Sequence, residues 1–209
     1  ADIASGSGKF AGLTKKILPN PIYILLDISR SRLSMSDFDC IIQGNGQFLP
    51  FSNNSIDLLL CRQGVHYMND INILLSEFKR VISKNGVIFL ATEWWLDGDE
   101  SLEEKEWVHN FFLLRDKPPQ HMISRIGLVE HIESSSLEIS ARIEIREKKK
   151  MPVVDWVKYY NSDSNLSKKR KAILETNIPF FAKRGYPHIE NGFVNYDSKW
   201  MFLVCKPKD

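Results

Sequence analysis

The stretch Asp2-Ile3-Ala4-Ser5-Gly6-Ser7-Gly8 decides the fold of this chain. A short apolar strand runs into a glycine-rich turn, and residues 9–18 then place apolar side chains on one helix face until Pro19 ends the pattern. Glycines let the backbone turn tightly and let a ligand approach the main chain. The stretch therefore predicts a strand, a tight turn and a helix, with a binding edge at the turn.

Strand and helix signals alternate outward from this turn. The apolar run at residues 22–26 ends in Asp27, and such runs are typical of parallel strands buried on both faces. Further strands are predicted at residues 40–42, 56–61 and 87–92, with a helix of 3.6-residue period at 71–82. The stretch between Asp27 and Cys40 is short, so its crossover helix should be abbreviated. The alternation predicts right-handed crossovers and a mostly parallel sheet.

The second half of the chain is less regular. Residues 103–114, 155–160 and 168–178 predict helices, and residues 199–205 predict a last strand. Residues 137–147 alternate like a strand, with Ile139, Ala141, Ile143 and Ile145 on one face. Because a strand normally needs about five residues and only Asp2-Ile3-Ala4 form the strand before the glycine turn, we expect the first strand to begin upstream of Ala1.

Composition excludes several classes of protein. The 209 residues are 43% hydrophobic and 26% charged, which argues against disorder and fibrous repeats. A net charge of +2 argues against a nucleic-acid-coating protein. Cys40, Cys61 and Cys205 form no metal-binding or disulfide pattern, so we expect buried, reduced thiols and no metal site. With no long apolar run and no signal peptide, we expect a cytoplasmic protein without a membrane span, and the oligomeric state stays open.

Asp27 follows Asp2 by 25 residues, at the end of the second apolar strand. An acid in this place can accept two hydrogen bonds from a ribose diol. The glycine turn and Asp27 together predict an adenosine-containing ligand at the carboxyl ends of adjacent parallel strands. The spacing G-S-G-K-F-A-G, with Ala11 in the third position, does not by itself exclude a dinucleotide.

Five separated sequence blocks, in a fixed order, indicate which adenosine-containing ligand the chain binds. They are the glycine turn, Asp27, N-G-Q-F-L-P-F at residues 45–51, I-D-L-L-L at 56–60, and the predicted helix with R-V-I at 80–82 before Asn85-Gly86. From residue 2 to about residue 92 the chain resembles the class I S-adenosylmethionine-dependent methyltransferases, in particular their small-molecule, type 11-like branch. Ala4 and Asn45 depart from the family's glycine and acid. The resemblance implies a Rossmann-like, doubly wound, mostly parallel seven-stranded sheet with an antiparallel last strand and a helical lid.

The resemblance also implies roles for individual residues toward S-adenosylmethionine and its product S-adenosylhomocysteine. The segment Ala4, Ser5 and Gly6 would face the methionine part of the cofactor, while Asp27 and Ile28 would contact ribose and adenine. Asn45, Gly46 and Gln47 would bind the adenine edge, and Cys61 and Gln63 would line the site beside the sulfonium. His66 is the candidate catalytic base, with Tyr67, His109 and His121 as others, and a purely structural role stays open for each.

The acceptor should be selected by the segment after the fifth strand. We predict a cofactor-binding core at residues 1–96, a lid at 97–135 and a C-terminal part at 136–209 completing the same sheet. Trp94, Trp107 and Phe111 would stack on the acceptor or form core beneath the lid. The predicted function is methyl transfer to a small molecule. The alternatives are an RNA- or protein-modifying enzyme using the basic runs at 148–150 and 168–171, and a non-catalytic cofactor-binding module.

Overall fold

A computed structural model of the chain describes residues 1–18, 21–113, 119, 122–160, 168–169, 172, 174–175 and 183–208. Pro19, His121 and much of the predicted helix at 168–178 lie outside the described residues. The elements run in this order: β1 Asp2–Ile3, α1 Lys9–Thr14, β2 Leu25–Asp27, α2 Arg30–Leu33, β3 Ile41–Gln43, β4 Ile56–Arg62, a 3₁₀ turn Val65–Tyr67, α3 Ile71–Val81, β5 Ile82–Glu93, α4 Leu102–Leu113, α5 Arg125–Ser134, β6 Leu137–Pro152, α6 Val153–Tyr160, β7 His188–Glu190 and β8 Phe193–Pro207.

The sheet has the order β3-β2-β1-β4-β5-β8-β6, and β7 pairs with β8. Strand β1 lies parallel to β2 and β4, β2 is parallel to β3, and β4 is parallel to β5. The predicted Rossmann-like, mostly parallel sheet is therefore confirmed. The structure adds an eighth strand, because β7 and β8 form an antiparallel hairpin through Asn191-Gly192, both of which have positive φ. Asn-Gly between two strands is a hairpin signal that was not used in the sequence-based prediction.

The register of the sheet gathers the loops of the binding edge. Ile3 pairs with Leu26 on one side and with Cys61 on the other, and Leu26 pairs with Ile42. Strands β1 to β4 thus end within about one residue of each other. Because parallel strands present their carboxyl ends together, the loops that follow these four strands meet at one edge.

Helix α3 shows how local chemistry sets an element. The Asp70 carboxylate caps its first turn by accepting hydrogen bonds from the amides of Asn72 (2.7 Å) and Ile73 (3.4 Å). Its apolar positions at a 3.6-residue spacing are buried, as predicted. The backbone becomes extended at Ile82, where β5 begins, so β5 is longer than the predicted strand at 87–92.

Three further sequence expectations can be compared with the structure. Helix α2 is only four residues long, which confirms the abbreviated crossover. Cys40 is exposed, so the expectation that all three thiols are buried was wrong. Its apolar neighbours misled the interpretation, because it precedes the edge strand β3, where one side of the strand lacks cover. Similarly, Ile143 and Ile145 of β6 are 61% and 48% exposed, although the alternation suggested a buried face.

The chain divides into two units. Unit 1 comprises residues 1–92, 127–143 and 201–209, and unit 2 comprises residues 93–126 and 144–200. Unit 2 has an apolar core of its own, built around Trp95, Phe111, Phe112, Trp156 and Tyr186. The division into residues 1–96, 97–135 and 136–209 stays a prediction. In the described ranges, no helix combines the length and hydropathy needed to cross a membrane.

Candidate ligand-binding site at the sheet edge

The glycine turn between β1 and α1 has left-handed residues at every second position. Ala4, Gly6 and Gly8 have φ values of 55°, 57° and 75°. A side chain at Gly8 is excluded, because its Cβ would lie 2.7 Å from Leu25 Cδ1. A Cβ at Gly6 would meet only Arg32 Nη1, at 3.9 Å, so space lies open above this residue. Ala4 adopts the left-handed conformation at an energetic cost of about 1–2 kcal/mol.

Asp27 connects this turn to β2. Its side chain is buried, with Oδ2 accepting a hydrogen bond from the Gly6 amide (2.8 Å) and Oδ1 accepting one from the Ser29 amide (2.8 Å). The position of this carboxylate at the edge follows from the sequence, but its hydrogen bond to the Gly6 amide, which holds the turn, was not predicted. Each carboxylate oxygen has two lone pairs, so Asp27 keeps acceptor capacity for a ligand hydroxyl.

Two buried oxygens in the same segment lack a hydrogen-bond partner among the described residues. They are Asp2 Oδ1 and Ser5 Oγ. The other Asp2 oxygen accepts from the Ala11 amide at 3.2 Å. Burial raises the pKa of Asp2 to about 7, so this carboxyl is partly protonated near neutral pH. Buried polar atoms without partners are uncommon, and the Ser5 hydroxyl fits a polar group of a ligand held at the turn.

Hydrogen bonds and close packing hold the loop after β3 in place. Asn45 Oδ1 accepts from the Gln47 amide at 3.0 Å, and Gly46 has no room for a side chain because its Cβ would lie 2.9 Å from Ile3 Cγ2. The buried Gln47 side chain donates to the Asp70 carbonyl (3.0 Å) and accepts from the Asn69 amide (3.0 Å). The Gln47 side chain therefore links the loop after β3 to the residues just before α3. Its predicted contact with a ligand stays a prediction.

The loop after β4 holds the candidate base. The Thr92 hydroxyl donates to Gln63 Oε1 (3.3 Å) and lies 2.8 Å from His66 Nε2. Because this hydroxyl has a single proton, it accepts from His66 when it donates to Gln63. Nε2 then carries the imidazole proton and Nδ1 the lone pair of the neutral ring. Within the sheet, burial raises the pKa of the Cys61 thiol to about 12, so this thiol is not a nucleophile.

Two residues beside Asp27 complete the edge. Ile28 is 72% exposed and offers an apolar surface where the resemblance places adenine. Arg32, on α2, brings its guanidinium to the glycine turn, as the 3.9 Å distance to the Gly6 Cβ position shows. Arg32 was not predicted, because its side chain comes near Gly6 only through the packing of α2 against β2 and β3. No pattern in the sequence signals this contact.

The predicted acceptor residues lie in unit 2. Trp94 is buried and donates from Nε1 to Asp97 Oδ1 (3.1 Å). The Trp107 ring stacks on the rings of Phe111 (5.3 Å) and Tyr186 (5.6 Å), and Phe111 is fully buried. These contacts favour a core role for the aromatic residues, and acceptor stacking stays a prediction.

Two of the alternative candidate bases and the described residues of the two basic runs lie at the surface or are only partly buried. Tyr67 and His109 are exposed. In the first basic run, Lys149 pairs with Glu147 at 2.6 Å and Lys150 lies over the Phe193 ring. In the second run, Lys168 and Lys169 are exposed. The described part of the chain has no cluster of His, Cys, Asp and Glu arranged to hold a metal ion.

Known proteins are similar to parts of this chain. Residues 1–90 match the family described as a methyltransferase domain. An uncharacterized methyltransferase, YcgJ of Bacillus subtilis (strain 168), is 32% identical over 80 residues, which are 38% of this chain and 30% of that protein. The uncharacterized protein YafE of Escherichia coli (strain K12) is 26% identical over 78 residues, which are 33% of this chain and 38% of that protein. The chain thus spans only about a third of the length of these curated relatives.

Solved structures extend the likeness of the fold to the whole chain. The structure of YcgJ from Bacillus subtilis matches with a TM-score of 0.82 at 17% identity, covering 100% of this chain and 91% of that one. A geranyl diphosphate C-methyltransferase from Streptomyces coelicolor A3(2), solved with Mg²⁺, geranyl diphosphate and S-adenosyl-L-homocysteine, matches with a TM-score of 0.62 at 14% identity, covering 99% and 70%. Residues 1–90 therefore match a methyltransferase domain, and the whole chain has a fold similar to that of these solved structures.

Proposed function

We propose that this chain is an S-adenosylmethionine-dependent methyltransferase that acts on a small-molecule acceptor. The observation that carries the proposal is the buried Asp27 carboxylate, hydrogen-bonded to the Gly6 amide where β1 and β2 end together. An acid in this place suits a ribose diol, and the neighbouring turn leaves open space above Gly6. A methyltransferase domain requires such a site for its methyl donor.

The residues at the edge fit the parts of this cofactor. Asp27 would accept from the ribose hydroxyls, and the exposed Ile28 would lie against the base. The loop at Asn45 and Gly46 would bind the adenine edge. The Ser5 hydroxyl and the Arg32 guanidinium offer donors for the amino-acid part, whose carboxylate is an anion.

When bound, S-adenosylmethionine supplies a methyl group on positively charged sulfur, which is already activated for displacement. The chain's own residues then need mainly to orient the acceptor and exclude water, effects worth roughly 7–11 kcal/mol. His66 Nδ1 is buried in this structure, so an acceptor hydroxyl or amine would have to reach this atom for it to accept the proton, while Thr92 holds Nε2 on the opposite side of the ring. His66 is therefore the residue that we propose as general base.

Three observations favour a small acceptor over RNA. The chain is nearly neutral, and part of the run at 148–150 is neutralised by an ion pair. One structural neighbour, the geranyl diphosphate C-methyltransferase, is named for a small-molecule substrate. The departure at Ala4 does not favour a non-catalytic module, because Ala4 adopts a left-handed conformation that glycine also adopts readily.

Calorimetry with S-adenosylhomocysteine tests the proposed cofactor. We expect binding of this nucleoside and none of NADH. Asp27→Asn should weaken binding by about 10- to 150-fold, because it removes a charged acceptor worth roughly 1.5–3 kcal/mol. Asp39→Asn, which changes an exposed aspartate, is the matched control and should bind like the wild type. Unchanged affinity of a folded Asp27→Asn variant, or tight NADH binding, would contradict the assignment.

The Arg32 contact has its own test. Arg32→Met should weaken binding of S-adenosylhomocysteine by about tenfold, and it should leave 5′-deoxy-5′-methylthioadenosine, which lacks the carboxylate, unaffected. Equal loss for both nucleosides would show that Arg32 does not bind the carboxylate.

An activity assay distinguishes a small-molecule acceptor from a macromolecular one. Release of S-adenosylhomocysteine should occur with a metabolite fraction that passes a small-pore filter. Turnover only with a retained fraction, and its loss on ribonuclease or protease treatment, would instead indicate the macromolecular alternative.

A further inference from the structure

Strand β6 is a long edge of the sheet without cover. It spans 16 residues, Leu137–Pro152, and is the last strand in the sheet order, with β8 as its neighbour. In the described ranges, no strand pairs with its outer side. Residues 140–148 are all exposed, including Ile143 and Ile145. A long exposed edge with apolar side chains is a template for pairing with another strand.

The charges along β6 are self-complementary. When a second copy of the strand lies antiparallel with Ile143 opposite Ile143, Arg142 faces Glu144 of the second copy. In the same register Glu138 faces Lys148. Each of these pairs occurs twice, because the two-fold axis passes through Ile143. Opposite charges placed directly across an antiparallel pair stabilise it, and like charges destabilise it.

The register centred on Ile143 is more favourable than the registers shifted from it by two residues. Only slips by an even number of residues keep each side chain on its face of the sheet. A slip by two residues in one direction places Arg142 opposite Arg142, and a slip in the other direction places Glu144 opposite Glu144. The favoured register also covers apolar surface, because Ile143 lies opposite Ile143 of the second copy. On the same face, Ala141 lies opposite Ile145 of the second copy.

We propose that two copies of this chain associate along the outer edges of β6, antiparallel and centred on Ile143, so that the two sheets become one. Within one copy, Arg125 Nη1 already lies 3.4 Å from Glu144 Oε1. Arg142 of the second copy would therefore add a second cation to this ion pair. The contact is a single pair of strands and falls at the low end of interface sizes. We therefore expect a dimer that dissociates at micromolar concentrations.

Disulfide cross-linking tests the register. The background is Cys40→Ser, which removes the exposed thiol. Directly opposed residues in an antiparallel pair have Cα atoms about 4.5–5.5 Å apart, within the range of a disulfide. Ile143→Cys should therefore give an oxidised dimer. Ile145→Cys is the matched control, because its two copies would lie four residues apart along the strand, about 13 Å, and should not cross-link. Equal cross-linking of both variants, or none in either, would overturn the proposal.

Charge exchange tests the pairing in a second way. Arg142→Glu and Glu144→Arg should each weaken the dimer at least about tenfold in sedimentation equilibrium, because two ion pairs become like-charge pairs. The double variant restores the complementarity and should restore most of the affinity. A monomeric wild type at about 200 μM, or two single variants that dimerise like the folded wild type, would overturn the proposal.

Discussion

Replacing Gly64 by alanine should destabilise the chain and disturb the glycine turn. Gly64 is buried in the turn after β4, with φ of −91°, a value that alanine adopts without strain. The obstacle is space, because the new Cβ would lie 2.6 Å from Cys61 Sγ and 2.8 Å from Ala4 Cβ. Atoms this close must move apart, and Cys61 is 1% exposed in a packed strand, so it has no free volume to enter.

The magnitude follows from overpacking of a buried site. An added methyl group in a packed core reduces the free energy of unfolding by about 1–3 kcal/mol. For a chain of this size, that corresponds to a fall in Tm of about 2–12 °C. Because Ala4 belongs to the glycine turn, we also expect weaker binding of S-adenosylhomocysteine. Urea unfolding and calorimetry on the same samples measure both effects.

A control variant and a rescue variant separate the effect of the Gly64 contacts from that of adding a methyl group elsewhere. Gly12→Ala adds the same methyl group inside α1, where nothing lies within 4 Å, and should raise the stability by about 0.5–1 kcal/mol. Ala4→Gly removes one of the two contacts, so Gly64→Ala should be less destabilising in that background. The reasoning fails if Gly64→Ala is as stable as the wild type, or if its effect is identical with and without Ala4→Gly.

Three further predictions follow from burial and charge. Of the three thiols, only Cys40 should react with iodoacetamide in the native state, because it is exposed and burial raises the pKa of the other two to about 12; mass spectrometry counts the labels. Burial raises the pKa of Asp2 to about 7, so the stability that its protonated form provides is lost as the pH rises from about 4 to 7. Asp2→Asn should reduce this loss in urea unfolding at pH 4.5 and 7.5. Arg184 Nε lies 2.9 Å from Glu104 Oε1. Arg184→Ala should lower the unfolding free energy by about 3 kcal/mol, because it leaves the buried Glu104 carboxylate without this ion-pair partner. Lys149→Ala, at an exposed pair, should lower it by less than about 1 kcal/mol, and equal effects would refute the distinction.

Much of unit 1 could be predicted because its signals are local. The glycine turn, the apolar strands and the helical period of α3 each depend on a few neighbouring residues, and the structure contains all of them. The predicted strand at 22–26 begins only at Leu25, and β5 begins earlier than predicted, because hydrogen bonding to neighbouring strands sets where a strand starts and ends. The site residues were predicted as positions along the chain, without their contacts.

Over residues 1–92 the sequence by itself determined the order of strands and helices, and hence that Gly6, Asp27 and Asn45 follow parallel strands. Only the tertiary structure decided which atoms meet. The Gly6 amide and the Asp27 carboxylate are 21 residues apart and join because β1 and β2 end in register. The tertiary structure also decided burial, since alternation shows that a strand has an apolar face but not whether another layer covers it. Ile143 is exposed for this reason, although its pattern is that of a core strand.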